Sequence, residues 1–203
     1  MTSTTDLRPL DAPGRELLFT EARTSNTWSD TPVTDAQLHE IWDLARWAPS
    51  AANGQPLRVT FVRDAAGKER LLPHVAEGNQ AKVSAAPVTA ILAFDPEFHE
   101  HFPTTFPARG EMMRENFAGD AGMRAGVADY NAALQTGVLL LAVRSAGLAA
   151  GPMAGFDRAG VDAAFHAENG WRSQLLVNIG HPGEDPWFPR LPRLADETVL
   201  AWA

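Results

Sequence analysis

Trp47-Ala48-Pro49-Ser50-Ala51-Ala52-Asn53-Gly54-Gln55-Pro56 is the stretch on which the reading of this chain turns. Before it, Leu38, Ile41, Trp42 and Ala45 recur at three and four residues. Thr34 is placed as an N-cap, with Gln37 at capping-box distance. The spacing predicts a helix ending near Trp47, with Pro49 as its stop. The small residues beyond let the backbone run close to a flat ligand, while Ser50, Asn53 and Gln55 offer donors and acceptors to its edge. A polar turn has the same composition, so the meaning of the stretch rests on what surrounds it.

Downstream, residues 58–62 are β-branched and aromatic and predict a strand closed by Asp64 and Gly67. A helix over 68–75 and a short one over 80–84 follow, then a buried strand over 87–94. Prolines and glycines interrupt residues 96–120, and His99, His101, Phe102 and Phe106 give that segment an aromatic, half-polar texture; we read it as an ordered but mobile lid over a pocket. The pattern over 122–146 is helical and nearly apolar on all sides in its second half, which predicts a buried helix, in part against a partner subunit, stopped by Gly147. Asp157 caps a helix to about residue 167, and 173–180 alternate as a strand. The tail from Pro189 ends in apolar residues 199–202 that need cover. Strands and helices mix without a βαβ rhythm and no GxGxxG loop occurs, so the expected fold is α+β, an antiparallel or mixed sheet wrapped by helices. Residues 1–13 read as a flexible lead-in and 14–203 as one domain.

With 203 residues, 45% apolar and 21% charged, the chain has a core of ordinary size. A net charge of −8 and the lack of a basic run argue against a nucleic-acid partner. The absence of cysteine removes disulfides, thiolate catalysis and cysteine-ligated metals together. The longest apolar run, 138–143, is too short to span a bilayer, and no targeting segment is seen, so a cytoplasmic protein without a membrane partner is expected. His99 and His101 are a poor ligand pair at i and i+2 and read as surface or lid-lining residues; no metal site is expected.

Three further segments bear on chemistry. Arg23-Thr24-Ser25-Asn26 combines a guanidinium fork with short donors, as a phosphate requires, although a surface arginine has the same local appearance. In Asn79-Gln80-Ala81-Lys82, one helical turn puts Asn79 and Lys82 on one face. Gly151-Pro152-Met153-Ala154-Gly155-Phe156-Asp157 follows the long apolar helix and otherwise reads as a helix-to-strand connection. The order and spacing of these segments, with the opening stretch, resemble the nitroreductase family of FMN-dependent oxidoreductases from about Leu17 to Leu194, and within it the malonic semialdehyde reductase branch of uracil degradation.

That resemblance implies a homodimer with FMN at the subunit interface, NADPH or NADH as hydride donor, and ping-pong catalysis in which the cofactor carries the hard step. It places the FMN phosphate on Arg23, Thr24, Ser25, Asn26 and Arg190, with Arg193 a less secure candidate that equally suits pairing with Asp196. Where the family has a second basic residue this chain has Asn26. Ser50, Asn53 and Gln55 fall along the flavin's pyrimidine edge, Trp28 borders the cofactor, and Asn79 and Lys82 match the position of the family's lysine. The Pro152, Met153, Ala154 and Gly155 backbone faces the flavin N5 and O4, with Ala154 where many members carry an acid. Lys82 and Gly155 are the catalytic candidates. For the small-molecule substrate, 3-oxopropanoate, an anionic aldehyde wants a cation and a proton donor; Arg109, Arg114, Arg124 and Tyr130 are placed for those roles. Two rivals stand beside this reading: a broad nitro-, quinone- or enone-reductase of the same fold, and a flavin-binding dimer without hydride transfer.

Overall fold

The structure, a computed structural model, describes residues 7–203. Of the expected lead-in, residues 1–6 lie outside the described residues, and the helix α1 (Ala12–Arg15) already begins within it. Asp11 Oδ1 caps α1 by accepting from the Gly14 N–H at 2.9 Å, and the helix loosens into a π-turn over Glu16–Thr20. Helix α2 (Asp35–Ala45) carries the expected capping box, Thr34 with Gln37, and buries Leu38, Ile41 and Ala45.

Strand β1 (Leu57–Val62) leads to α3 (Ala65–Leu71), where Pro73 turns the expected continuation to residue 75 into a separate 3-10 turn over Leu72–His74. The expected short helix is the longer α4 (Glu77–Ala85). Strand β2 (Val88–Phe94) follows, then α5 (Phe102–Thr105), α6 (Gly110–Ala118) and α7 (Ala121–Ser145). Gly147 ends α7 at φ +74°. Residues 149–153, expected as a connection, form β3 (Ala149–Met153); α8 (Arg158–Phe165), β4 (Arg172–Gly180) and α9 (Asp196–Val199) complete the chain. Asp157 stands at the N-cap of α8 without a side-chain hydrogen bond, and α8 ends two residues short of the expected limit.

The four strands form one antiparallel sheet in the order β1-β2-β4-β3. The central β2 and β4 are buried because both sheet faces are covered, which is why residues 88–93 read as an apolar run interrupted by Thr89, whose hydroxyl donates to Asn178 Oδ1 at 2.7 Å. On the edge strand β3, the Ala150 carbonyl turns outward to the Ser25 N–H. By alternation Pro152 also faces outward, where its missing N–H costs no ladder bond.

Helix α7 is long and apolar enough to cross a membrane by composition alone, yet Ala132, Leu139, Ala142 and Val143 are buried against α2 and the sheet, as in a core helix. The same face carries three buried polar residues, Asn131, Gln135 and Thr136. Burial stops at that face: Tyr130 and Leu134 on the other side are 66% and 44% exposed, so the expectation of burial all round fails within one chain.

Residues 96–120, expected as an ordered but mobile lid, are largely helical. Phe98 and Phe102 are buried with Ala128, and Phe117 packs edge-on at 5.5 Å from Phe98. Of the prolines that break sequence periodicity, Pro103 sits in the first turn of α5, while Pro96 and Pro107 lie in turns outside the helices. His99, expected at the surface, is 1% exposed.

His166 is buried at the end of α8 against Trp171, and neither ring nitrogen has a hydrogen-bond partner. Burial lowers its pKa below 6.5, with Asp162 opposing in part. A lowered folded-state pKa means that the unfolded chain binds the proton first. Stability contributed by neutral His166 is therefore complete above about pH 6.5 and declines as pH falls, at up to about 1.4 kcal/mol per pH unit. Denaturant melts between pH 7 and 5 are expected to show this slope, and His166→Phe to flatten it; an unchanged slope in the variant removes His166 as its source.

Candidate functional site

Arg23, Thr24, Asn26, Lys82, Arg190 and Arg193 line one cleft of about 660 Å³, together with Phe188. They come from three parts of the chain, and backbone bonds bring those parts together. The Ser25 N–H donates to Ala150 O at 3.1 Å and the Asn26 N–H to Pro186 O at 3.0 Å. Thr27 Oγ1 donates to Glu184 O at 2.7 Å. Arg190 donates to the Thr20 carbonyl. Trp28 packs at the joint: a Cβ on Gly151 or Gly180 would press on its ring, besides Ser25 O and Pro87 respectively, and one on Gly183 would collide with its backbone.

Four cations and no carboxylate line the cleft. The nearest acid on record is Glu21, 3.7 Å from Arg23 in an exposed pair. Such a lining favours an anion. Three residues sit otherwise than expected within one chain. Ser25 is 2% exposed and its hydroxyl donates to Thr27 O at 2.9 Å, so it braces the segment and offers nothing to the cleft. Arg193 donates to Leu191 O and Pro192 O rather than pairing with Asp196. Trp28 does not line the cleft; it packs behind it. Asn26 donates weakly to Thr24 O and Pro186 O, tying the segment to the tail.

Lys82 projects from α4 with its Nζ 6.0 Å from the Phe188 ring centroid. Asn79, one turn earlier, reaches Gly155 O at 3.4 Å, and the Ala76 N–H donates to the same carbonyl at 3.0 Å. Gly155 is needed at this approach, since a Cβ there would lie 2.8 Å from Asn79 Nδ2. Of the four-residue segment expected to present N–H groups, Pro152 has none and Met153 is paired with Leu176 in the sheet. Ala154 and Gly155 are exposed, and their N–H groups have no partner among the described residues.

The opening stretch forms a separate unit. Ala52, Asn53 and Gln55 hold φ of +51°, +54° and +48°, a costly left-handed run for residues with a Cβ. Ser50 Oγ accepts from the Gln55 N–H at 3.0 Å, and Gln55 Nε2 donates to Asn53 Oδ1 at 3.0 Å. Asn53 Nδ2 donates to Thr105 O at 2.7 Å, and the Ala51 N–H to Asn131 Oδ1 at 2.7 Å. Within one chain, Ser50, Asn53 and Gln55 thus hold one another, and none of them lines the cationic cleft. Asn131 and Gln135, whose Oε1 accepts from the Leu57 N–H at 3.0 Å, anchor both ends of this stretch. They were not foreseen; two amides at i and i+4 on the core face of an apolar helix were the available signal.

The substrate candidates separate by their partners. Arg124 donates to Pro96 O and Phe117 O and pairs with Glu97 at 3.0 Å, which makes it a strut under residues 96–120. Arg114 pairs with Glu111 at 3.0 Å and Glu100 at 3.6 Å. Neither charge is open to a substrate. Arg109 is exposed and its guanidinium has no partner among the described residues, four residues past the Thr105 carbonyl that holds Asn53. Tyr130 is exposed beside Asn131. Neither cavity is lined by any residue of 96–120, so a pocket beneath a lid is not what this segment forms in one chain. No group of three or more His, Asp or Glu able to hold a metal occurs among the described residues. A second hollow of about 450 Å³ between α2 and β1, lined by Trp42, Phe61 and Trp171, contains none of the expected residues.

Comparison with known proteins agrees with this geometry. The nitroreductase family profile matches residues 20–181. A Streptomyces coelicolor protein provisionally named an NADH dehydrogenase/NAD(P)H nitroreductase is 58% identical over 186 residues, covering 92% of each chain. Among solved structures, an Exiguobacterium sibiricum nitroreductase-type protein in complex with FMN superposes with a TM-score of 0.82 at 20% identity, covering 98% of this chain and all of that one. A Bacillus subtilis protein of the same type gives 0.82 at 21% identity, over 92% of this chain and 97% of its own.

Proposed function

The chain belongs to the nitroreductase family, and on that premise we propose that it is an FMN-dependent NAD(P)H oxidoreductase, active as a homodimer, that reduces 3-oxopropanoate to 3-hydroxypropanoate. The observation that carries the reading is the cationic cleft free of carboxylates; the unpartnered N–H groups of Ala154 and Gly155 lie outside its lining, tied through Asn79 to the helix that carries Lys82. The cleft's volume and chemistry suit FMN: Arg23, Arg190 and Thr24 would hold the phosphate, and Lys82 and the Ala154–Gly155 amides the ring. The bound flavin supplies two-electron redox chemistry. The protein supplies the positive field of Lys82, the rigid amides beside Asn79 and a surface that excludes water.

The loop over 50–55 turns away from the cleft of its own chain, and in a dimer it would complete the partner's. The surface supports pairing: 12224 Å² is exposed, against about 9,300 Å² for a compact monomer of 21.9 kDa. Overall, NAD(P)H supplies two electrons and, with one proton taken up, 3-oxopropanoate becomes 3-hydroxypropanoate and NAD(P)⁺ is released, the bound FMN being what would link the two half-reactions. Arg109, the one uncommitted cation of the four candidates, would hold the substrate carboxylate and Tyr130 would stand as proton donor. The name of the Streptomyces relative favours a second reading, a broad nitroreductase at the same cleft.

Anaerobic mixing separates these. NADPH is expected to bleach the flavin band, and 3-oxopropanoate to restore it rapidly. Arg109→Ala is expected to raise the Michaelis constant for the aldehyde by about 10- to 100-fold, the loss of one charge-assisted contact, and to leave an uncharged quinone unaffected. Recovery with quinones or nitroaromatics but not with the aldehyde selects the broad reductase. A flavin that neither NADPH nor NADH bleaches leaves only the binding role.

A further inference from the structure

Helix α4 ends in a way that its own backbone cannot complete. A helix leaves its last carbonyls without partners, and the N–H groups of the residues just beyond it normally supply them. Here the Ala86 N–H closes on Lys82 O at 3.1 Å, and the next residue, Pro87, has no N–H to give. The missing donors come from α3. Lys68 Nζ donates to Val83 O at 2.7 Å, Ser84 O at 3.2 Å and Ala86 O. An ammonium has three protons, and three carbonyls accept them. Its positive charge also lies at the negative end of the α4 dipole.

The same short helix also grips α8. Arg70 donates to Ala164 O at the end of α8 and lies over the Phe165 ring at 4.5 Å. Between these two grips, the Asp157 N–H donates to His74 O at 2.7 Å and the Ala76 N–H to Gly155 O. Helix α3 thus spans the two elements that present Lys82 and Gly155.

We propose that Lys68 is a positioning residue: through the Ala86 peptide it fixes the last turn of α4 and so the place of the Lys82 ammonium in the cleft. The proposal rests on the reading of that cleft as the flavin site. Lys68→Met keeps the stem and removes all three donors. In the flavin-free protein, amide exchange over 82–86 is expected to rise at least about tenfold as the turn frays. With FMN, the dissociation constant is expected to rise about tenfold and the midpoint potential to move negative, in the direction Lys82→Met moves it. In the Lys68→Met/Lys82→Met double variant, the first change should add nothing to the potential, since the group it positions is gone.

An unmoved potential in Lys68→Met, with Lys82→Met shifted, overturns the positioning role even if melting temperature falls. Additive shifts in the double variant overturn it too. If Lys82→Met itself leaves the potential in place, the flavin reading of the cleft falls and takes the proposal with it. Should Lys68→Met not fold, Lys68→Arg carries the same readouts, because a planar fork keeps the charge but cannot aim three donors from one atom.

Discussion

Replacing Lys82 by methionine is expected to slow reduction of the bound flavin by NADPH about 10²-fold, with little loss of fold stability. The argument begins with what Lys82 does not do. Among the described residues no carboxylate pairs with it, and its only recorded neighbour is the Phe188 ring at 6.0 Å. A half-buried ammonium held this way contributes little to folding, so its charge remains available to the cleft. A cation that meets negative charge developing in the transition state acts on rate more than on ground-state binding. The expected signature is therefore a lower rate at saturating NADPH, partly restored by Lys82→Arg. Arg190→Ala should differ: at the phosphate end it should weaken FMN binding while protein saturated with FMN keeps most of its rate. Stopped-flow traces on both variants decide the matter. Equal rates for Lys82→Met and the parent protein would remove Lys82 from the chemistry.

Much of this arrangement was legible in the residues. The helix over 35–45 follows from its capping box and apolar spacing, the buried strand over 88–94 from its mostly apolar run, and the stop at Gly147 from its positive φ. Arg23, Asn26, Lys82 and Arg190 were expected in one place and do line one cleft. What escaped had specific causes. The 96–120 segment hid its helices because they are short, because Pro103 occupies a first turn, where it is tolerated, and because its core of Phe98, Phe102 and Phe117 closes on Ala128 of a distant helix. Ser25 was indistinguishable from a ligand donor until its hydroxyl was seen to hold Thr27 O. Arg114 and Arg124 lost their availability to acids at positions 97, 100 and 111, whose proximity depends on how those helices stack. The loop over 50–55 does not line the cleft of its own chain, and the contact between subunits proposed for it would have no signature in spacing along one chain.

That last point bears on the tail. Truncation after Arg193 is expected to convert the dimer to monomer and to strip it of FMN. The cut spares every residue that lines the cleft, the last being Arg193, and deletes Leu194, Val199, Leu200 and Trp202, which are 73%, 64%, 50% and 91% exposed in the single chain. Side chains of this kind are worth about 1.5–3 kcal/mol each when fully buried. Left in water, they would make an unusually apolar end for a chain of net charge −8. The surface in excess of a compact monomer, roughly 2,900 Å² per chain and so about 5,800 Å² for two, is as large as the total that a permanent interface withdraws from both subunits. Even if ordering the arm cancels half of its gain, two arms per dimer leave several kcal/mol, and the dimer constant is expected to weaken by at least about a thousandfold. Sedimentation equilibrium and flavin fluorescence on the truncated chain read both effects. If the cleft is complete within one subunit, the truncated monomer keeps its flavin, and the partner's 50–55 loop has no part in holding it. If the truncated chain remains a dimer, the outer face of α7, with Tyr130 and Leu134, is the contact that suffices. A parent chain that sediments as a monomer would end the dimer reading outright.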